Sequence, residues 1–157
     1  MRIGHGYDAH RFCEDKIMRI GGVEIDSPLG LLAHSDGDVL LHALMDALLG
    51  AAGERDIGYQ FPDNSGEYKN IDSRILLART RDILRGKNLT VEYADMTVVA
   101  QKPKLKPYIE PMRREIARVL EIDVSRVNVK ATTEEKMGFT GREEGIAAHA
   151  VCLLAEN

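Results

Sequence analysis

The stretch "IAAHAVCLL", residues 146–154, decides the fold. Nine residues with a single polar side chain, His149, are too few for a membrane span and read as a strand. Side chains alternate between faces along a strand, so this one is apolar on both sides apart from His149. Such a strand wants cover on both faces. Helices can cover one. The other needs more protein, so the expectation is an oligomer packed through its sheets.

Working outward, the elements alternate without a repeat. Residues 2–12 read as a strand, and residues 17–20 and 22–25 as a short hairpin around Gly21-Gly22. Residues 27–38 read as a loop, followed by a helix over 38–52, with Ser35 and Asp38 matching an S-x-x-D start signal. Residues 53–70, rich in Gly, Asp and Asn, form a long loop, and long loops in compact domains are usually functional or mobile. A second helix covers 73–85, capped by Asp72 and ended by Gly86. A strand over 89–100, a loop over 101–107, a helix from about Pro107 and a strand over 127–131 complete the order. This order predicts an α+β fold: one mixed sheet, helices packed on one face, and the other face turned inward in the oligomer.

The chain has 157 residues, enough for a single domain over 1–157 with a real core. A domain of this size needs no disulfide or structural metal to fold, so a metal site here would be functional. The net charge of −4 disfavours a general nucleic-acid binder. The two cysteines, Cys13 and Cys152, form no C-x-x-C and read as reduced thiols. "MRIGHGYD" shows no apolar signal segment, and no apolar run is long enough for a membrane span. The expectation is a cytoplasmic protein with no membrane or nucleic-acid partner.

The first strand carries "GHGYDAHRF", residues 4–12. Asp8 and His10 project to one face and His5 to the other. A carboxylate and an imidazole on one face suit zinc, and equally make a routine surface pair. The helix over 38–52 is apolar around nearly its whole circumference, with Ala43, Ala47 and Ala51 as a small-residue stripe. Yet Asp38, His42 and Asp46 recur every four residues. Unpaired charge is costly inside a protein, so these groups need a reason to be there. Two readings stand open. His42 is a hydrogen-bonded core histidine, or it is the third ligand of a zinc site with Asp8 and His10, oriented by Asp38 or Asp46. Two histidines and one aspartate leave a fourth position open, as catalytic zinc sites do.

Other segments carry weaker signals. His34 and Ser35 precede a helix N-terminus, where anions are favoured, and Ser35 also suits an ordinary cap. "QKPKLKP" (101–107) carries three lysines and two prolines and reads as a solvated turn. "KATTEEKMGFTGREEG" (130–145) offers hydroxyls and carboxylates that suit a hard divalent cation bridging phosphates, or an exposed polar loop. The chain has no Walker-A loop, no G-x-S-x-G and no G-x-G-x-x-G. Metal-assisted chemistry on a phosphorylated small molecule is the reading the residues favour.

Taken together, "GHGYDAHRF", "GLLAHSDGDVLLHALMDALLGA", "DIGYQFPD", "AQKPKLKP" and "VKATTEEKMGFTGREEGI" resemble the 2-C-methyl-D-erythritol 2,4-cyclodiphosphate synthase family. The resemblance covers essentially the whole chain. It implies a homotrimeric lyase of non-mevalonate isoprenoid biosynthesis with active sites between subunits. The implied reaction is attack of the 2-phosphate of 4-diphosphocytidyl-2-C-methyl-D-erythritol 2-phosphate on its β-phosphorus, with CMP leaving. The resemblance implies zinc on Asp8, His10 and His42, and Mg²⁺ or Mn²⁺ on Glu135 between the phosphates. It implies that His34 and Thr133 assist charge in the transition state and that Ser35 binds phosphate. Asp56, Ile57, Gly58, Phe61 and Asp63 would hold the erythritol end. Ala100, Pro103, Lys104, Leu105, Lys106, Ala131 and Thr132 would form a cytidine pocket. Phe139 and Arg142 match positions tied to substrate and to a threefold cavity that can hold an isoprenoid diphosphate. Three residues depart from the family pattern: Tyr7 where Phe is frequent, Ser65 where Asp is common, and Glu143 where Gly is frequent. The competing activities are a zinc phosphohydrolase and a non-catalytic nucleotide or isoprenoid-phosphate binder.

Overall fold

The computed structural model describes residues 1–157. Its main sheet has the order β4-β1-β7-β5-β6, formed by β1 (Arg2–Cys13), β4 (Gly30–Leu31), β5 (Leu89–Val99), β6 (Val127–Thr132) and β7 (Gly145–Glu156). A separate hairpin joins β2 (Met18–Ile20) to β3 (Val23–Ile25). The long helices are α1 (Val39–Ala52), α3 (Ser73–Gly86) and α4 (Ile109–Leu120); α2 (Ile57–Gln60) and α5 (Gly138–Gly141) are single turns. β7 runs antiparallel to both β1 and β5, while β5 and β6 are parallel. A parallel pair needs a crossover, and α4 supplies it. The fold is the expected mixed α+β.

The strand over 146–154 behaves as its composition requires. Ile146, Ala148, Ala150, Cys152 and Leu154 are buried beneath α1. On the opposite face, β7 pairs its outward residues with those of β1 and β5 in rows. Ile3, Leu153 and Tyr93 form one row, Tyr7, His149 and Thr97 another. No helix covers this face, and Ile3 is 71% exposed, Tyr7 46% and Val151 41%. The Tyr7 ring stands edge-on to His149 at 4.9 Å. His5 shares this face, as alternation demands, with its Nε2 3.5 Å from His149 Nδ1.

The other face of β1 carries two glycines with a packing role. Gly4 and Gly6 lie directly under α1. A Cβ at Gly4 would stand 1.9 Å from the Ala47 carbonyl oxygen, and one at Gly6 1.8 Å from that of Ala43. The alanine stripe of α1 therefore rests on bare strand backbone. Two residues of strand advance about 6.6 Å and four residues of helix about 6 Å, so the contacts march together. Beyond Gly6 on this face, Asp8 reaches His42, the neighbour of Ala43 on α1.

Several boundaries differ from expectation. The S-x-x-D signal does not make Ser35 the cap of α1. Asp38 takes that position, accepting from the Leu41 N–H. The Asp38 carboxylate also accepts from the Gly21 and Gly22 N–H groups, tying the hairpin turn to the helix start. The loop over 53–70 contains α2, capped by Asp56, and a 3-10 turn at Gly66–Tyr68. Gly86 lies inside α3, and the left-handed residue that follows is Asn88, at φ 57°. A 3-10 turn at Lys106–Tyr108 precedes α4. Glu143 sits at φ 61°, the backbone region that favours glycine, which gives its departure from the family pattern a physical meaning. No helix is long and apolar enough to cross a membrane.

Asp38 is fully buried and satisfies three N–H donors with two oxygens. Asp38→Asn keeps the shape but turns an amide N–H toward a backbone N–H. Stability to urea is expected to fall by about 2–4 kcal/mol, the cost of leaving buried donors unpaired. A midpoint within error of the parent would refute this anchoring role.

Candidate metal centre and its clefts

Three side chains from two elements converge at the end of the glycine stripe. Asp8 Oδ2 lies 2.8 Å from His10 Nε2 and 3.0 Å from His42 Nδ1. The two ring nitrogens are 3.1 Å apart. The rings stand nearly perpendicular, at 82°, so two lone pairs can point at one centre from different directions. Asp8, His10 and His42 are the only group of three or more such ligands that the fold assembles. Tetrahedral zinc holds neighbouring nitrogen and oxygen donors about 3.3 Å apart, close to the spacings here. The donor set and the convergence therefore fit a divalent metal.

The electrostatics follow from partial burial. Burial pushes the Asp8 carboxyl up, but hydrogen bonds from His10 and His42, with their charges, hold it at about 2. Burial pulls the His42 imidazole down, and the Asp8 hydrogen bond and charge reverse this, leaving it above its ordinary value. The carboxylate is thus ionised and ready to serve as a ligand.

Neither aspartate of the α1 stripe orients His42 through its side chain. Asp38 caps the helix, and Asp46 Oδ1 accepts from the Ile57 N–H, seating α2 beside the site. The partners of His42 Nε2 are hydroxyls: Ser35 Oγ and Ser73 Oγ, each at 3.0 Å. Ser73, at the start of α3, carried no signal in the sequence beyond its cap-adjacent position. Lys16 Nζ donates to the Ala33 and Ser35 carbonyls and pins the loop that carries His34 and Ser35.

A cleft of about 250 Å³ opens over the triad. It brings together Asp8, His10, His34, Ser35, His42, Ile57, Gly58, Phe61 and Asp63, all expected at the site, with Ala33, Tyr68 and Leu76 added. His34 Nε2 lies 3.2 Å from the Ser65 carbonyl oxygen, linking this wall to the 53–70 segment. A second cleft, about 240 Å³, is lined by Ala100, Pro103, Lys104, Leu105, Lys106, Ala131, Thr132 and Thr133. These are the expected nucleotide-pocket residues plus Thr133. The two clefts share no residue. Asp56, Glu135, Phe139 and Arg142 line neither one. Asp56 caps α2, Glu135 is exposed at φ 52°, and Arg142 pairs with Glu144 at 2.8 Å.

The chain is similar to known proteins along its whole length. The model of the YgbB family matches residues 1–155. A protein of Pseudomonas putida (strain W619), named 2-C-methyl-D-erythritol 2,4-cyclodiphosphate synthase, is 60% identical over 154 residues, covering 98% of each chain. The structure of the bifunctional IspDF from Campylobacter jejuni superposes with a TM-score of 0.96 at 45% identity, covering 99% of this chain and 42% of that longer one. An IspF from Plasmodium falciparum, solved as a CDP complex, superposes with a TM-score of 0.86 at 38% identity, covering 99% of this chain and 97% of that one.

Proposed function

The chain belongs to the YgbB family, and from that premise we propose that it converts 4-diphosphocytidyl-2-C-methyl-D-erythritol 2-phosphate to 2-C-methyl-D-erythritol 2,4-cyclodiphosphate and CMP. It is then a phosphorus–oxygen lyase of the non-mevalonate isoprenoid route, a single domain over 1–157 working in the cytoplasm. The observation that carries this reading is the convergence of Asp8, His10 and His42 on one point within a polar cleft. The names of the relatives give the cyclic diphosphate product, and the CDP complex of a structural neighbour supports a cytidine-bearing substrate.

Asp8, His10 and His42 would hold zinc, and Glu135 would hold Mg²⁺ or Mn²⁺. Cations bound there would supply positive charge that offsets the charge of the reacting phosphates. The protein does the rest by placement. The attacking 2-phosphate is already an anion, so no general base is required. Ser35 and His34 hold phosphate at the triad, and Thr133 steadies charge from the second cleft. Asp56, Ile57, Gly58, Phe61 and Asp63 fix the erythritol end. Ala100, Pro103, Lys104, Leu105, Lys106, Ala131 and Thr132 grip the cytidine, and Lys104 favours the departing CMP. Holding both ends of one molecule lowers the barrier by about 7–11 kcal/mol in favourable cases.

The two clefts supply opposite ends of this substrate yet share no residue. A homotrimer resolves this: the triad cleft of one subunit faces the nucleotide cleft of the next, and the uncovered sheet faces meet inside. Phe139 and Arg142 then approach the threefold axis, where a cavity has room for an isoprenoid diphosphate.

The test is incubation of the purified protein with the diphosphocytidyl substrate, Mg²⁺ and ¹⁸O-water. The expected outcome is CMP release with an unlabelled cyclic product. Label in the product, or an uncyclised diphosphate, would establish a phosphohydrolase instead. Absence of CMP release would leave a binding protein.

A further inference from the structure

His42 Nδ1 faces Asp8 and His10, so it must present a lone pair to any metal there. A neutral imidazole carries one proton, and the hydrogen bond at the other nitrogen decides where it sits. That bond is set two residues away. Asp36 Oδ2 accepts from the Ser73 N–H at 2.9 Å, and Oδ1 accepts from the Ser73 hydroxyl at 2.6 Å. A carboxylate can only accept, and 2.6 Å is the length of a charge-assisted O–H···O bond. The single hydroxyl hydrogen of Ser73 is therefore committed to Asp36. Its oxygen still faces His42 Nε2 at 3.0 Å, with only lone pairs to offer. Two bare lone pairs do not face each other at that distance, so Nε2 carries the hydrogen.

We propose that Asp36 and Ser73 are positioning residues that hold the His42 proton on Nε2 and so present the Nδ1 lone pair to the metal. The inference rests on reading Asp8, His10 and His42 as a zinc site. It also assigns Ser35. With Nε2 protonated, the Ser35 hydroxyl, 3.0 Å away, can only accept from the ring, and its own hydrogen is free to point into the cleft. That is the orientation a phosphate oxygen needs. Asp36 is held in turn by the Asp38 N–H, which donates to Oδ1 at 3.1 Å.

The test is a double-mutant cycle on zinc affinity, read by competition with a chromogenic chelator. Ser73→Ala removes the acceptor. Asp36→Asn reverses the polarity, because the amide donates to Ser73 Oγ and turns that hydroxyl toward Nε2. Each is expected to weaken zinc binding about 10–100-fold, as other groups that orient metal ligands do. Asp36→Asn should add less than about twofold on top of Ser73→Ala, since Asp36 acts through that hydroxyl. A purely structural Asp36 would multiply the losses, and that result overturns the proposal, as would unchanged affinity in both single variants. A second measurement needs no variant. In the metal-free parent protein, ¹⁵N NMR should show a hydrogen on Nε2 of His42, whether or not Asp8 also holds one on Nδ1. The opposite tautomer overturns the relay. If the parent binds no zinc, the metal reading fails, while the NMR result still decides where the proton sits.

Discussion

Gly6→Ala will give a protein that is less stable and binds zinc poorly, although residue 6 touches no ligand. The added Cβ would stand 1.8 Å from the Ala43 carbonyl oxygen and 2.8 Å from the Ala47 nitrogen. Both are backbone atoms of α1, with no rotamer to yield. Restoring ordinary contact means moving the helix off the strand by about 1.5 Å, and forcing atoms into a packed core costs about 1–3 kcal/mol or more. The midpoint in urea should fall accordingly. The same movement carries His42 away from Asp8 and His10, which sit on the strand. A displacement of about 1 Å at a reacting centre costs about 10²-fold, so turnover should fall at least that far. Gly50→Ala is the control. It lies in the same helix with nothing within 4 Å of its Cβ position, and should leave zinc binding and turnover unchanged. Native zinc affinity in Gly6→Ala would refute the view that helix–strand contact sets the site.

That contact also marks where the sequence could be read and where it could not. Alternation along a strand separates Asp8 and His10 from His5 with no knowledge of the fold, and the structure puts His5 on the open face beside His149. The four-residue recurrence of Asp38, His42 and Asp46 correctly marks a stripe with a purpose. Its three members have three purposes, because each meets a different element: a hairpin turn, Asp8 and His10 on β1, and the start of α2. Periodicity gives the direction of a side chain and is silent about what comes to meet it. Ser73 shows the limit most clearly. It stands 31 residues beyond His42 and reaches Nε2 only because α3 packs on α1. Gly4 and Gly6 were legible in principle, since two glycines on one strand face opposite an alanine stripe describe a close approach. Ala100, Pro103, Lys104, Leu105, Lys106, Ala131 and Thr132, expected to hold a nucleotide, form one cleft because β5 and β6 are parallel neighbours, a pairing that local pattern alone does not reveal.

His42→Ala should separate chemistry from nucleotide binding. The imidazole supplies one of three converging ligands, and two ligands hold zinc far more weakly. The metal content of the purified variant should drop well below one per chain. Losing a cation that offsets several kcal/mol of transition-state charge lowers the rate at least about 10³-fold. The fold should survive, because Ser73 keeps its bonds to Asp36 and the new space opens onto the cleft. The stability loss should be about 1–2 kcal/mol, in the range for a lost hydrogen-bonded group. Cytidine nucleotide affinity should stay near that of the parent, since none of the second cleft's residues touches His42. A variant that keeps more than about a tenth of parent turnover would place the chemistry away from this triad. One that loses nucleotide binding with its turnover would show that the clefts act as one unit rather than as two grips on opposite ends of a substrate.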